Sequence, residues 1–148
     1  MRFYCTDDTV DLEQYPYHVR DVHISDPFIL ADPKSRCYYT YVQFADTERF
    51  PDVETDKEHG VFYVLESKDL IHWSKPQICF RQNNFWADKD YWAPEVHIWK
   101  GRYYLFSSFR ADGHYRKCQC LVSDSPKGPF EPIRQEACYT RWNGRVLM

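Results

Sequence analysis

Asp26-Pro27-Phe28-Ile29-Leu30 begins a pattern that occurs twice in this chain of 148 residues. The first occurrence continues through a turn into Cys37-Tyr38-Tyr39-Thr40-Tyr41, and then into Val61–Ser67 and Trp73. The second consists of Pro94-Glu95-Val96-His97, a turn, Arg102-Tyr103-Tyr104-Leu105-Phe106, and then Lys117–Ser123 and Phe130. Corresponding residues lie about 57 to 65 positions apart. A repeat of this size, built from short aromatic strands, predicts blades of a β-propeller.

Each unit is predicted to be a hairpin followed by a third strand and a short outer strand. In the first unit, residues 22–30 and 37–44 form the hairpin around a turn at Asp32-Pro33-Lys34-Ser35. After the third strand, Ser67 and Asp69 are suited to bond neighbouring amides in a tight turn, and Trp73 is assigned to the core. Residues 45–60 contain six acidic residues and a proline, which predicts a long acidic loop.

The repeat divides the chain into three parts. Residues 1–20 lack periodicity and are interpreted as an N-terminal arm, residues 21–133 as two blades (about 21–80 and 91–133), and residues 134–148 as an irregular tail. The predicted fold is therefore all-β, a partial propeller of about two four-stranded blades. Because the pattern stops where a third blade would begin, we expect the fold to be truncated in this tail. Repeat folds bury each unit against its neighbours, so we also expect marginal stability and self-association through exposed blade edges.

Charge and composition exclude several classes of partner. The net charge is -3, and the longest cationic grouping, Arg116-Lys117, is interpreted as ordinary surface, so no nucleic-acid partner is expected. The sequence contains neither a membrane-length apolar run nor the apolar segment of a signal peptide, so we expect no membrane partner and a cytoplasmic location. The six cysteines are then expected to be reduced, and Cys118 and Cys120 to share a strand face. No metal-ligand spacing is present, and we expect neither a metal site nor a cofactor.

Aromatic residues are the unusual feature of the composition. Tyr, Phe and Trp make up 18% of the chain. Such residues favour half-buried sheet surfaces, and a flat ring also covers the apolar face of a sugar. Most of these rings must pack in the core, and a few are available for carbohydrate binding.

Several motifs together resemble glycoside hydrolase family 43. They are His23-Ile24-Ser25-Asp26-Pro27-Phe28-Ile29-Leu30 with Tyr38-Tyr39, then Ser67-Lys68-Asp69-Leu70-Ile71-His72-Trp73, then Phe85-Trp86-Ala87-Asp88-Lys89-Asp90-Tyr91-Trp92-Ala93-Pro94-Glu95-Val96-His97 with Gly101-Arg102-Tyr103-Tyr104-Leu105-Phe106. Their order and spacing carry the resemblance over about residues 20–133. It implies the first two blades of a five-bladed propeller that cleaves arabinosides and xylosides with inversion, and an oligosaccharide or glycoside as the partner.

The resemblance also implies roles for two carboxylates. Asp26 matches the family's general base, and Glu95 matches the carboxylate that tunes the pKa of the general acid. Ser25 stands where many relatives have Arg, and Glu95 replaces the commoner Asp. Inverting hydrolysis needs a base and an acid about 6.5–9.5 Å apart. After the second unit only Glu131 and Glu136 are candidate acids, and because both lie in the outer strand or tail, the chain alone is expected to be inactive.

Each assignment has a structural alternative. Asp26 is also suited to initiate a turn, and Glu95 to be a solvated strand-end carboxylate. Trp86 and Trp92 are either a sugar platform or core residues. The histidines are interpreted as solvated or bonded within the core rather than as metal ligands; they are His23, His72, His97 and His114. Two further readings of the whole chain are a non-catalytic carbohydrate-binding remnant and a gene fragment whose tail comes from a shifted reading frame.

Overall fold

The structure, a computed structural model, describes residues 10–22, 24, 26–43, 60–81 and 85–134. These residues form two antiparallel sheets and one short 3-10 turn at Val19–Asp21, which confirms the all-β prediction. The strands are β1 Tyr17–His18, β2 Phe28–Asp32, β3 Cys37–Val42, β4 Val61–Ser67, β5 His72–Trp73, β6 Gln77–Arg81, β7 Lys89–Trp99, β8 Arg102–Arg110, β9 Lys117–Ser123 and β10 Glu131–Pro132. Nearly all of the predicted acidic loop, His23, Ser25 and the tail from residue 135 lie outside the described residues.

The first sheet is the first of the two repeated units. Its strands follow the order β1-β5-β4-β3-β2, and β6 pairs with the other half of the edge of β4. Every residue of β3 and β4 is buried, which is typical of central strands covered on both faces. At the outer edge, Tyr17 and His18 pair with Trp73 and His72. The stretch interpreted as an arm therefore contributes a strand to this sheet.

The second sheet is the second unit, in the order β10-β9-β8-β7. Burial alternates along β8, where Tyr103, Leu105 and Phe109 are buried and Phe106 is exposed. Residues directly opposite in the ladder share a face, so Val96 on β7 joins Leu105 on the core side. The predicted hairpin over 94–106 is confirmed, although β7 begins earlier than the repeat indicates.

The turn after β4 has the predicted chemistry. The Asp69 carboxylate accepts hydrogen bonds from the backbone N–H groups of Ile71 and His72 at 2.8 and 2.7 Å, and it lies 2.7 Å from His72 Nδ1. Burial alone would raise the pKa of Asp69, but the hydrogen bonds from His72 and Ile71 outweigh it and lower the pKa. The turn delivers Trp73, which is 3% exposed, into the core as predicted.

The two sheets share one aromatic core. The Phe109 ring on β8 lies 5.9 and 6.3 Å from the Phe62 and Phe80 rings of the first sheet, in edge-to-face geometry. It also meets Phe85, in the segment that joins the sheets, and Tyr91 of β7, each with a centroid distance of 4.9 Å. Edge-to-face pairs add to the free energy of burial. The two units are therefore held against each other by rings from both.

Among the described residues, no helix is long and apolar enough to cross a bilayer.

Candidate functional site

Asp26 lies two residues before β2, the edge strand of the first sheet that packs against β7 and is called its inner strand below. Its side chain is exposed, and its backbone has a φ of 49°. A positive φ is uncommon outside glycine, although Asp tolerates it better than most residues. Such backbone conformations are concentrated at functional sites. The residue combines an available carboxylate with an unusual backbone at the point where β2 begins.

Glu95 lies on β7, the edge strand of the second sheet that packs against β2 and is called its inner strand below. Its side chain is about half exposed, and its Oε1 lies 2.6 Å from Nε2 of His97. An ionised carboxylate only accepts hydrogen bonds, so in this pair the His97 ring donates its Nε2–H to Glu95. Residues two apart on a strand share a face, which explains why these two side chains meet. His97 therefore orients the Glu95 carboxylate.

The two inner strands meet next to these carboxylates. β2 packs against β7, and the Phe28 ring lies 5.5 Å from the His97 ring. Asp26 precedes Phe28 by two residues, and Glu95 precedes His97 by two residues. Both carboxylates are thus next to the junction between β2 and β7. The His97 ring also contacts Phe106 at 6.1 Å, which supports it from the neighbouring strand.

The ladder between β7 and β8 is irregular beside Glu95. The register shifts between Lys89 and Trp92 and again between Trp92 and Glu95, and Ala93 has a φ of 51°. The Ser107 hydroxyl donates to the Trp92 carbonyl at 2.5 Å, so the displaced backbone still has a hydrogen-bond partner. Bulges re-aim side chains next to functional sites. Here the irregularity leaves Trp92 on the surface instead of in the alternating core.

Trp92 and Trp86 have different surroundings. Trp92 is 49% exposed, and the guanidinium carbon of Arg116 lies 3.5 Å from the centroid of its ring. Trp86 is partly buried against the main core, contacts Phe85, and donates its indole N–H to the Gln119 side-chain oxygen at 3.3 Å. Trp92 is the more accessible of the two rings.

Arg116 corrects one prediction. It is not ordinary surface, because its guanidinium stacks on Trp92 and donates to the Asp90 carbonyl at 2.8 Å and to the Ser108 hydroxyl at 3.2 Å. Its partner Asp90 has a φ of 50° and also pairs with Arg110. Nothing in the local sequence pattern indicates these contacts, because Arg116 reaches Asp90 across the sheet from a loop.

A second polar region lies where the β2–β3 turn meets the loop after β9. It lines an open pocket of about 400 Å³. Asp32, which is 1% exposed, accepts hydrogen bonds from the Ser35 hydroxyl at 2.7 Å and the Tyr103 hydroxyl at 3.0 Å. Glu66 accepts from the Tyr15 hydroxyl at 2.5 Å and pairs with Lys127 at 2.7 Å. Since these carboxylates are already satisfied by neighbouring side chains, the region fits a structural role.

The electrostatics of that region agree with a structural role. Burial alone would raise the pKa of Glu66, but the hydrogen bonds from Lys127 and Tyr15 lower it below its ordinary value. Burial and the hydrogen bond to Asp32 raise the pKa of Tyr103 to about 12. Both groups are therefore held in the protonation state that makes their hydrogen bonds.

Among the described residues, no group of three or more His, Cys, Asp or Glu side chains is arranged to hold a metal ion.

Fold and site together define a class of protein. Two packed antiparallel units, with a carboxylate on or beside each inner strand and an exposed tryptophan on β7, are the features expected of a carbohydrate-active β-propeller. Comparison with known proteins gives the family. Residues 18–144 match the family described as glycosyl hydrolases family 43. The chain belongs to glycoside hydrolase family 43.

Individual relatives agree with this assignment. The chain is 30% identical over 123 residues to xylosidase/arabinosidase 43A of Humicola insolens, which covers 80% of this chain and 30% of that protein. It is similar to the endo-arabinase of Bacteroides thetaiotaomicron, with a TM-score of 0.69, 36% identity, and coverage of 83% of this chain and 39% of that one. A thermostable family-43 glycoside hydrolase matches with a TM-score of 0.62 and 28% identity, over 80% of this chain and 34% of that one. The chain thus spans well under half the length of these relatives.

Proposed function

We propose that this chain carries part of the active site of an inverting glycosidase that acts on arabinose- or xylose-containing oligosaccharides. In this proposal Asp26 is the general base that activates water. Glu95, oriented by His97, is the carboxylate that tunes the pKa of the general acid. The observation that carries the proposal is the junction of β2 and β7, where the Phe28–His97 contact lies two residues from each carboxylate.

The chemistry of this junction supports the assignment. Inversion needs one carboxylate to accept a proton from water while a carboxylic acid protonates the leaving oxygen. Asp26 is exposed, so water reaches it. Glu95 is about half exposed, and its negative charge beside another carboxyl group would raise the pKa of that group and favour its acid form. The names of the relatives, a xylosidase/arabinosidase and an endo-arabinase, support the substrate class.

The general acid is not assigned to the described residues. Glu131 lies in the outermost strand, β10, and pairs with Val122 at the edge far from β7. Glu136 lies outside the described residues. Losing a general acid costs about 10²–10⁴ in rate. We therefore expect the 148 residues by themselves to bind the sugar and to release it with a rate lower by about this factor, and full turnover to need a carboxylic acid from elsewhere.

The alternative function is carbohydrate binding without chemistry. The observation that favours it is the Trp92 ring, which is 49% exposed and lies three residues before Glu95 on β7. Contacts between a sugar and an aromatic ring do not require a carboxylate, since a flat ring covers the apolar face of a sugar. Under this alternative, Asp26 and Glu95 are polar contacts for hydroxyl groups.

One experiment tests both functions. Arabino- and xylo-oligosaccharides are titrated into the chain by calorimetry, and released sugar is followed by anomeric proton NMR. We expect Trp92→Ala to weaken binding about tenfold, the range of a lost aromatic contact. Trp99→Ala is the matched control, since Trp99 is also exposed on β7 and also lies under a cation, Lys100 at 4.4 Å.

The outcomes separate the proposals. Sugar released with inversion, and lost in Asp26→Asn, supports the glycosidase site directly. Binding that survives Asp26→Asn with no release supports the binding function for this chain. Release with retention of configuration, or release that Asp26→Asn leaves unchanged, contradicts the role of Asp26. Equal losses from the two tryptophan variants contradict the placement of the sugar on Trp92.

A further inference from the structure

We propose that Arg116 is a positioning residue that holds the Trp92 ring and the bulged backbone of β7 in the orientation that binds sugar; this inference rests on the proposed function. Arg116 lies at the end of the loop between β8 and β9. It reaches across β8 to the irregular part of β7. It is thus the link between this loop and the aromatic surface beside Glu95.

The guanidinium contacts both β7 and β8 in this part of the sheet. Its carbon lies 3.5 Å from the Trp92 ring centroid, which is face-to-face contact. One terminal nitrogen donates to the Asp90 carbonyl at 2.8 Å and the Ser108 hydroxyl at 3.2 Å. The other lies 3.2 Å from the Asp90 carboxylate. These contacts fix the plane of the guanidinium, and the plane in turn fixes the ring stacked on it.

The stacked cation leaves the ring available on one side. An indole has two faces, and Arg116 covers one of them. The side chain is nevertheless 49% exposed, so much of the remaining surface is open to solvent. A cation over an aromatic face is attracted to the ring electrostatically. Without Arg116 this large exposed ring would have to be immobilised when sugar binds, at a cost in conformational entropy. Arg116 reduces that cost because it restrains the ring before binding.

The same residue stabilises an unfavourable backbone. Asp90 and Ala93 both have positive φ values, 50° and 51°, and positive φ is disfavoured for residues other than glycine. Ser107 holds the Trp92 carbonyl inside this segment, and Arg116 holds the carbonyl at its start. Such conformations persist only where surrounding contacts over-determine them. Without Arg116, we expect the segment to relax and both Trp92 and Glu95 to change orientation.

Arg110 provides a matched control. Its Nε pairs with the same Asp90 carboxylate at 2.8 Å, and it is as polar and more exposed than Arg116. The cation that lies over the Trp92 ring is Arg116. Removing Arg110 therefore tests the loss of one charge beside Asp90, while removing Arg116 also removes the stacking and the carbonyl contact. Lysine is not an equivalent replacement, because it lacks the planar fork.

The experiment compares Arg116→Gln, Arg116→Lys and Arg110→Gln in the ¹⁵N-labelled chain. The indole N–H resonance of Trp92 is assigned with Trp92→Phe. We expect Arg116→Gln and Arg116→Lys to move or broaden this resonance, and Arg110→Gln to leave it close to its original position. In oligosaccharide titrations we expect both Arg116 variants to weaken binding about three- to fivefold, and Arg110→Gln to change it less than about twofold.

Each outcome decides the proposal. A Trp92 resonance unchanged in Arg116→Gln, or equal changes in Arg116→Gln and Arg110→Gln, overturns it. Wild-type behaviour of Arg116→Lys also overturns it, since charge alone would then suffice. If Arg116→Gln loses the dispersed amide spectrum of a folded chain, Arg116→Lys, which keeps the charge, carries the test. If the wild-type chain binds neither oligosaccharide, the proposed function fails, and the Trp92 resonances still decide whether Arg116 positions the ring.

Discussion

At the scale of single residues, the carboxylates divide into two groups with different surroundings. Asp26 and Glu95 are exposed beside the junction of the inner strands. Asp32 and Glu66 are buried, and both have a pKa lowered by hydrogen bonds that outweigh the effect of burial. Exposed carboxylates are available to a ligand, whereas buried and satisfied ones stabilise the fold. We therefore assign ligand binding to the region of Asp26 and Glu95, and a structural role to the region of Asp32 and Glu66.

The buried carboxylates predict a pH dependence of stability. Because the pKa of Glu66 and of Asp32 is lower in the folded than in the unfolded chain, their contribution is fully present above the unfolded values, about 4.3 and 3.9. It is lost as the pH falls below these values and through the folded pKa. We expect the free energy of unfolding to drop below about pH 4.5, as measured by urea unfolding at fixed pH.

A single variant shows whether Glu66 causes this loss of stability at acid pH. Glu66→Gln removes the charge that meets Lys127 and the acceptor for Tyr15, so it should lower the stability at pH 7 and flatten its slope below pH 4.5. Glu131→Gln, on the exposed outer strand, is the matched control and should keep the wild-type slope. An unchanged slope in Glu66→Gln would show that other groups carry the acid sensitivity.

At the residue scale, sequence reasoning identified the candidates but not their surroundings. Trp86 and Trp92 could not be told apart from the pattern, because core and platform tryptophans have the same spacing in so aromatic a chain. The contacts of Arg116 were missed because its partner Asp90 is 26 positions away, on the strand beyond β8. The turn around Asp69 was predicted in detail, since its hydrogen bonds join residues two or three positions apart.

At the scale of elements, the loop after β9 contacts the outer strand of the other sheet. Gly128 has a φ of 79°, and a Cβ placed on it would lie 2.4 Å from the Cys79 carbonyl oxygen of β6. Two residues later, the Phe130 N–H donates to that same carbonyl at 2.8 Å. The glycine therefore permits a close approach of two backbones, which a side chain would prevent.

Gly128→Ala should consequently be far more destabilising than an alanine at a comparable open position. Gly113 has a similar φ of 76°, but nothing lies within 4 Å of its added Cβ. Gly113→Ala should cost about 1–2 kcal/mol, the penalty for a left-handed residue. Gly128→Ala adds a backbone clash, and we expect at least about 2 kcal/mol more, within the range of other overpacking changes. Equal urea midpoints for the two variants would contradict this account.

At the scale of the whole molecule, the two units share one hydrophobic core, so we expect them to unfold together. The main core cluster includes Phe62 and Phe80 from the first sheet and Phe109 from the second. Rings that touch across the sheets make the stability of each unit depend on the other. The repeated pattern in the sequence thus corresponds to two sheets but a single shared core.

Phe109→Ala tests this coupling. Phe109 is fully buried, so truncation should cost about 3–5 kcal/mol, as for other buried phenylalanines. Because the ring touches both sheets, amide protons of β4 and of β8 should lose protection by the same free energy in native-state hydrogen exchange. Tyr115→Ala, at a side chain that is 92% exposed, should stay within about 0.5 kcal/mol of wild type. Loss of protection confined to β8 would mean that the sheets unfold independently.

The sequence by itself determined the strands, their hairpins, the repeated unit and the family motifs. These features are local, because strand alternation and turn chemistry depend on residues a few positions apart. Only the tertiary structure decided that Arg116 stacks on Trp92, that His97 orients Glu95 beside Phe28, and that the carboxylates of Asp32 and Glu66 are satisfied. These contacts mostly join segments that are distant in the chain, and their strength depends on burial and on backbone bulges that packing creates.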